Sequence, residues 1–289
     1  SCHRSMKIPK GLQPLVEEGL IDEVVRQLQS GKEAAVFVVR SGGRTCCAKV
    51  YKDAEHRGFH RLAEYQEGRK ARGSRDARAK GRRGRHGRSV QEAEWKNAEV
   101  DALYRLAAAG VRVPEPMGVF GGVLLMELVT ADDGLPAPRL NEVEMSREQA
   151  LQWHAFMIEQ IVRMLCAGLI HGDLSEYNVL VDGNGPVVID LPQAVDAASN
   201  NNAFSMLLRD VNNMRSTFGR AAPELLKTYY AHEMWALFQA SELRPDSVLT
   251  GEFEFDTREV DLDGVLDEIE EARLEAEARQ RGREEADED

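Results

Sequence analysis

Two glycine pairs, Gly42-Gly43 and Gly121-Gly122, limit how this chain can fold. Each lies between short apolar, β-branched runs, the pattern of a tight hairpin. Residues 33–51 predict the first hairpin: a strand over 33–40, a turn at Ser41-Gly42-Gly43, and a returning strand from Thr45 to Tyr51. Met117–Phe120 and Val123–Val129 predict the second around Gly121-Gly122. Between them, residues 91–109 carry Trp95, Ala98, Ala102 and Leu106 on one helical stripe, ended by Gly110. After a linker at 132–139 the pattern is mostly helical. Strands, one helix, strands, then helices predict an α+β protein: a small sheet lobe joined to a helical lobe, with a cleft between.

The boundaries follow from this order. Residues 1–13 read as a tail, with Met6 a candidate natural start and 1–5 a cloning remnant. Residues 14–130 form the sheet lobe, beginning with a helical lead-in over 14–29 that places Leu15, Leu20, Val24 and Leu28 at helical intervals. Residues 131–260 form the helical lobe. Ser146 and Gln149 offer a capping box for a helix carrying Leu151, Ala155, Ile158, Val162 and Leu165. Residues 171–181 read as a loop, Pro186–Asp190 as a strand and 203–239 as helices. Residues 261–289 are an acidic helix and tail.

Charge is split sharply along the chain. The net charge is −12, yet residues 57–88 hold twelve Lys or Arg against three acids. Part of that stretch, 68–89, reads as a mobile basic loop, either a solvated insertion or a surface for anions such as RNA. It lacks interleaved aromatics, which argues against single-strand stacking. No apolar run reaches membrane-spanning length and no secretory signal is visible, so a cytoplasmic protein without a membrane partner is expected. Four cysteines without ligand spacing argue against zinc and for a reduced compartment.

The chemistry concentrates in residues 171–190. Asp173, Asn178 and Asp190 have the spacing of a base, an amide and a second carboxylate used in phosphoryl transfer from ATP. Asp173 would orient or deprotonate an acceptor hydroxyl, and Asn178 and Asp190 would hold a metal against the phosphates. His171 would support the loop backbone, and Ser175 would turn it. Lys49 lies on a strand with apolar flanks. A strand lysine usually faces solvent, but here it would face the cleft and hold phosphates, paired with Glu99 of the 91–109 helix. A lone helical glutamate is ordinarily solvated. Ser30, Gly31, Lys32 and Glu33 precede the first strand. They match neither a Walker A loop nor GxGxxG, although Gly31 permits a tight turn with amides free for phosphate.

With these residues assembled, the sequence resembles the RIO family of atypical protein kinases, nearest its first subfamily and bacterial relatives. The resemblance rests on residues 30–34 (SGKEA), 48–52 (AKVYK), Trp95 with Glu99, 124–127 (LLME), 135–138 (LPAP), 171–178 (HGDLSEYN), Ile189-Asp190 and Arg209-Asp210. It implies a trimmed bilobal protein-kinase-like fold that binds ATP and Mg²⁺ or Mn²⁺ and phosphorylates protein serine, its own included. Catalysis would fall to Asp173 and Lys49, and the metal to Asn178 and Asp190. Ser30, Gly31, Lys32, Glu33, Lys49, Glu99, Pro136, Tyr177, Asn178 and Ile189 would border the nucleotide. Glu127 and Val129 would supply hinge contacts to adenine, with Met126 as gatekeeper. Ser74 and Ser89 are candidate autophosphorylation sites. Some members act as ATPases on maturing small ribosomal subunits, which would make subunit or RNA contact a task for the basic loop. Asp190-Leu191-Pro192 replaces Asp-Phe-Gly, and no Ala-Pro-Glu follows, so an ordinary activation loop and peptide platform are not expected. A small-molecule kinase of the aminoglycoside type shares His-Gly-Asp but not SGKEA or LSEYN. An inactive scaffold is disfavoured because Lys49, Asp173, Asn178 and Asp190 are all present.

Overall fold

Residues 44–51 alternate sharply, and that alternation organises the amino-terminal half. Cys46, Ala48 and Val50 are buried on one face of their strand, while Cys47, Lys49 and Tyr51 point to the other. The computed structural model describes residues 6–52 and 97–255, together with Asp267, Glu270, Glu271, Arg273 and Leu274. The basic loop 68–89, with Ser74 and Ser89, lies outside the described residues, as do Trp95 and most of 256–289.

The first half is a five-stranded sheet in the order β1-β2-β3-β5-β4. Its strands are β1 (Glu23–Ser30), β2 (Ala34–Ser41), β3 (Arg44–Tyr51), β4 (Pro116–Phe120) and β5 (Val123–Glu127). The two expected hairpins are present, turning on glycines with φ of 59° and 78° (Gly42, Gly43) and 57° and 80° (Gly121, Gly122). Leu12, Leu15, Leu20 and Ile21 close the outer face against Phe37, Val39 and Leu125.

The helix expected over 14–29 is corrected. Only Gln13–Glu17 is helical (α1), and Glu23–Ser30 is strand β1, paired antiparallel with β2. Gly19, at φ 75°, lies just beyond the helix end. Val24-Val25 then suits an extended chain, and the β2 ladder takes up the amides on the side that faces it. The helical spacing of Leu20, Val24 and Leu28 was coincidental: Leu20 and Val24 are buried, but Leu28 is 36% exposed.

Across the sheet's other face lies α2 (Ala98–Ala108), whose N-cap Asn97 accepts a hydrogen bond from the Glu99 amide at 2.8 Å. The second half packs α3 (Arg147–Cys166) against α4 (Ala203–Gly219) and α5 (Tyr230–Gln239). Ser146 caps α3 by accepting from the Gln149 amide at 3.1 Å. Residues 179–181, read as loop, belong to strand β7 (Val179–Asp182), paired with β8 (Gly185–Val188); β6 (Leu169–Ile170) and β9 (Val195–Asp196) form a second short pair. Asp190 therefore does not end a strand. It sits two residues past β8 with φ 55°.

His154 on α3 lies against Phe218 and Tyr230, with ring centroids 6.0 and 5.5 Å away and no hydrogen-bond partner for Nε2. Burial pushes its pKa down from 6.5 to about 4. Above pH 6.5 the ring is neutral whether the chain is folded or unfolded, and this stability is fully present. As the pH falls from 6.5 towards 4, only the unfolded chain takes up the proton, and roughly 3 kcal/mol is lost. Urea unfolding across that range should show a shallower pH dependence for His154→Phe; an identical slope would refute the assignment.

Candidate active site

The cleft is built on one strand and one loop. On β3, side chains two residues apart share a face, so Cys47, Lys49 and Tyr51 all point towards α2 and the cleft. Lys49 Nζ donates to Glu99 Oε1 at 2.5 Å and lies 3.6 Å from Asp190 Oδ1. Tyr51 donates its hydroxyl to the other Glu99 oxygen at 2.9 Å, with its ring 5.6 Å beneath Lys49 Nζ. Lys49 and Glu99 are only 9% and 8% exposed, so each charge needs the other. Burial raises the Tyr51 pKa above its ordinary value, reinforced by Glu99. The expected Lys49–Glu99 pair is thus present. Tyr51 was not singled out, although the i+2 alternation from Lys49 pointed to it.

The loop after β6 is held by main-chain bonds. Gly172 has φ 86°, and a Cβ there would stand 2.6 Å from Gln193 O, so only glycine fits. Asp210 of α4, entirely buried, accepts from the Gly172 amide at 2.8 Å and the Leu174 amide at 3.0 Å. Burial raises its carboxyl pKa against the opposing pull of His171 and the two amides. Arg209 donates to Gly172 O at 2.5 Å, and Asn213 donates to Leu174 O at 2.8 Å. His171 Nδ1 accepts from the Asp173 amide at 3.1 Å, which leaves the proton on Nε2 to be donated to Ile189 O at 2.9 Å. Ser175 turns the loop, accepting from the Tyr177 amide at 3.2 Å. Asn178 Nδ2 donates to Asp173 O at 2.5 Å and approaches Asp173 Oδ2 at 3.4 Å; the Ile189 amide donates to Asn178 O at 3.0 Å. Asp173 and Asn178 are therefore bonded directly, and the residue before Asp190 is tied to Asn178 through the main chain.

Two cavities meet at Lys49, Glu99 and Asp190. One, of about 310 Å³, is lined by Gly31, Lys32, Glu33 and Tyr51, and presents the turn between β1 and β2 to the lysine. The other, of about 400 Å³, is lined by Cys47, Met126, Glu127, Val129, Pro136 and Ile189. Ser30, Asp173, Tyr177 and Asn178 are not among the residues lining either cavity; Ser30 pairs with Ala35 in the β1–β2 ladder, and Tyr177 is 39% exposed. Burial pushes the Cys47 thiol up to about 12, with Cys46 and Glu127 adding to the effect.

The hinge expectation needs one refinement. The Glu127 carboxylate is taken by Arg112, Nη1 to Oε1 at 2.9 Å and Nη2 to Oε2 at 3.0 Å, and its amide donates to Glu115 O at 2.8 Å, so of its polar groups only the main-chain carbonyl is left as a candidate to serve adenine. Arg112 holds that carboxyl below the ordinary range. Arg112 also reaches Asp182 Oδ2 at 3.0 Å. Neither Arg112 nor Asp182 stood out in the sequence, because their contacts span 15 and 70 residues.

The donor set suits a hard divalent cation shared with phosphate: one carboxylate (Asp190), one amide (Asn178), and no sulfur or imidazole. Among the described residues, no group of three or more His, Cys, Asp or Glu could hold a metal alone, so phosphate and water would complete the shell. Among the same residues, no helix is long and apolar enough to cross a membrane.

The RIO domain family model matches residues 35–231. The chain is 37% identical over 207 residues to the RIO-type serine/threonine-protein kinase Rio1 of Haloferax volcanii, covering 71% of this chain and 67% of that protein. It is 30% identical over 208 residues to human serine/threonine-protein kinase RIO1, covering 71% of this chain but only 35% of the human protein. A crystallised kinase domain superimposes with a TM-score of 0.40 at 14% identity, over 81% of this chain and 72% of that one.

Proposed function

The chain belongs to the RIO family of serine/threonine-protein kinases, and from that premise we propose that its cleft transfers the γ-phosphate of ATP to a protein serine, its own included. The observation that carries this reading is the buried Lys49–Glu99 pair, with Asp190 3.6 Å from the same ammonium, where the two cavities meet. Phosphoryl transfer asks the protein mainly for positioning and charge stabilisation. Adenine would occupy the larger cavity against Met126, Val129 and Ile189, with Pro136 at its rim. Lys49, fixed by Glu99 and Tyr51, would carry the phosphates past Gly31 and Lys32. Asp190 and Asn178 would hold Mg²⁺ or Mn²⁺, which supplies positive charge for the phosphate oxygens. Asp173, outside both cavities, would receive the acceptor hydroxyl and its proton.

Between Asp190 and α4 lie only residues 191–202, partly taken up by β9. So short a stretch supports a trimmed kinase without an ordinary activation loop, whose acceptor docks elsewhere. A second reading, an ATPase acting on small ribosomal subunits, rests on the RIO family together with the basic stretch 68–89.

One experiment separates the two readings. The protein is incubated with γ-labelled ATP and Mg²⁺, and the bound label is challenged chemically. Label stable to acid and lost in base is expected for phosphoserine. Label released by hydroxylamine marks an acyl phosphate, with Asp190 as the candidate, and would replace serine transfer with the ATPase reading. Co-sedimentation with small ribosomal subunits, dependent on residues 68–89, would then be required.

A further inference from the structure

We propose that Arg112 is a positioning residue that fixes the hinge over the floor of the nucleotide cavity. The inference rests on reading the cleft as an ATP site.

Arg112 lies between α2 and β4, and its amide, its carbonyl and both Nη groups are bonded. Its amide donates to Gln160 Oε1 on α3 at 2.7 Å, and its carbonyl accepts from the Val188 amide of β8 at 2.9 Å. Its guanidinium makes the two-pronged contact with Glu127 at the end of β5. Nη2 also reaches Asp182 Oδ2, and Nη1 reaches Val113 O at 3.1 Å. Asp182 is itself anchored, because its Oδ1 accepts from the Asn184 and Gly185 amides at 2.8 and 3.1 Å in the β7–β8 turn. One side chain thus ties the hinge strand of the sheet half to a hairpin of the helical half.

Those two pieces are opposite walls of one cavity. Glu127, Leu128 and Val129 line it from the hinge, and Leu180, Val188, Ile189 and Asp190 line it from the hairpin and the segment after it. The height of Asp190, and of any metal it holds, relative to adenine therefore depends on the Arg112 junction. A planar guanidinium can grip Glu127 with two prongs and still reach Asp182 and a carbonyl; a lysine has all its donors on one nitrogen and cannot reproduce that fork. Without Arg112, Glu127 and Asp182 would face each other as uncompensated like charges and push the walls apart. The Arg112 side chain is 32% exposed, so solvent screens much of its direct contribution to stability. Its effect should therefore show in nucleotide affinity before it shows in folding.

The test measures equilibrium binding of a fluorescent ATP analogue, kcat and KM for ATP, and the thermal midpoint, on the full chain. Arg112→Met should raise Kd and KM about tenfold while kcat stays within about threefold and the midpoint shifts little. Arg112→Lys should fall between. Asp182→Asn added to Arg112→Met should recover part of the affinity, because it removes one of the two opposed charges; a purely structural role would make the double variant worse. Unchanged Kd and KM in Arg112→Met, or a fall in kcat that simply tracks the folded fraction, would overturn the clamp. A wild-type protein that binds no ATP would overturn the reading of the cleft, and the clamp with it.

Discussion

Asp173→Asn is expected to slow phosphate transfer about 10³-fold while the affinity for ATP stays within about twofold. The substitution keeps the shape of the side chain and removes only its ability to accept a proton. The local fold should hold, because the loop is fixed by main-chain bonds: the Asp173 amide donates to His171 Nδ1, and its carbonyl accepts from Asn178. Affinity should hold because Asp173 lines neither cavity. Single-turnover labelling with γ-labelled ATP gives the rate, and equilibrium binding gives the affinity. A variant retaining more than about a tenth of the wild-type rate would remove Asp173 as the base.

The second large effect is expected at Asp210. Asp210→Ala leaves the Gly172 and Leu174 amides without acceptors in a fully buried site, and takes the counter-charge from beside Arg209. Each stranded amide costs about 1–3 kcal/mol, so a loss of roughly 3–5 kcal/mol is expected. Asp210→Asn keeps one acceptor oxygen but turns an NH₂ towards the other amide, and should fall between. Urea denaturation with an unchanged m-value reads the loss. Activity should fall further than the folded fraction, because the loop that aims Asp173 is released. An Asp210→Ala protein with wild-type stability would refute this account of the loop.

The sequence showed part of this site and not the rest, for physical reasons. Lys49 and Glu99 were legible because a lysine on an apolar strand, followed by an amphipathic helix with a central glutamate, describes a pair that must meet if the strand faces inward. Asp173, Asn178 and Asp190 were legible because their spacing is local. Arg209-Asp210 was visible only as part of a family resemblance, since its role depends on bonds across more than thirty residues. Arg112 and Asp182 were invisible for the same reason: an arginine before a proline-rich turn looks like any surface arginine until the fold brings two carboxylates to it. Strand β1 was misread because Leu15, Leu20, Val24 and Leu28 imitate a helical stripe, and tertiary pairing with β2 overrode it. The β7–β8 hairpin was half missed because Val179, Leu180 and Val181 of its first strand fall inside what read as the 171–181 loop.

Cys47 has a practical consequence for anyone who would inhibit or label this protein. It is the one cysteine among the residues lining the two cavities, and so the natural target for an acrylamide or chloroacetamide inhibitor. With its thiol pushed to about 12, about one molecule in 10⁵ carries the reactive thiolate at neutral pH. Electrophiles placed there would bind long before they bonded, and peroxide would find little to attack. Reversible ligands that use the shape of the cavity are the better starting point.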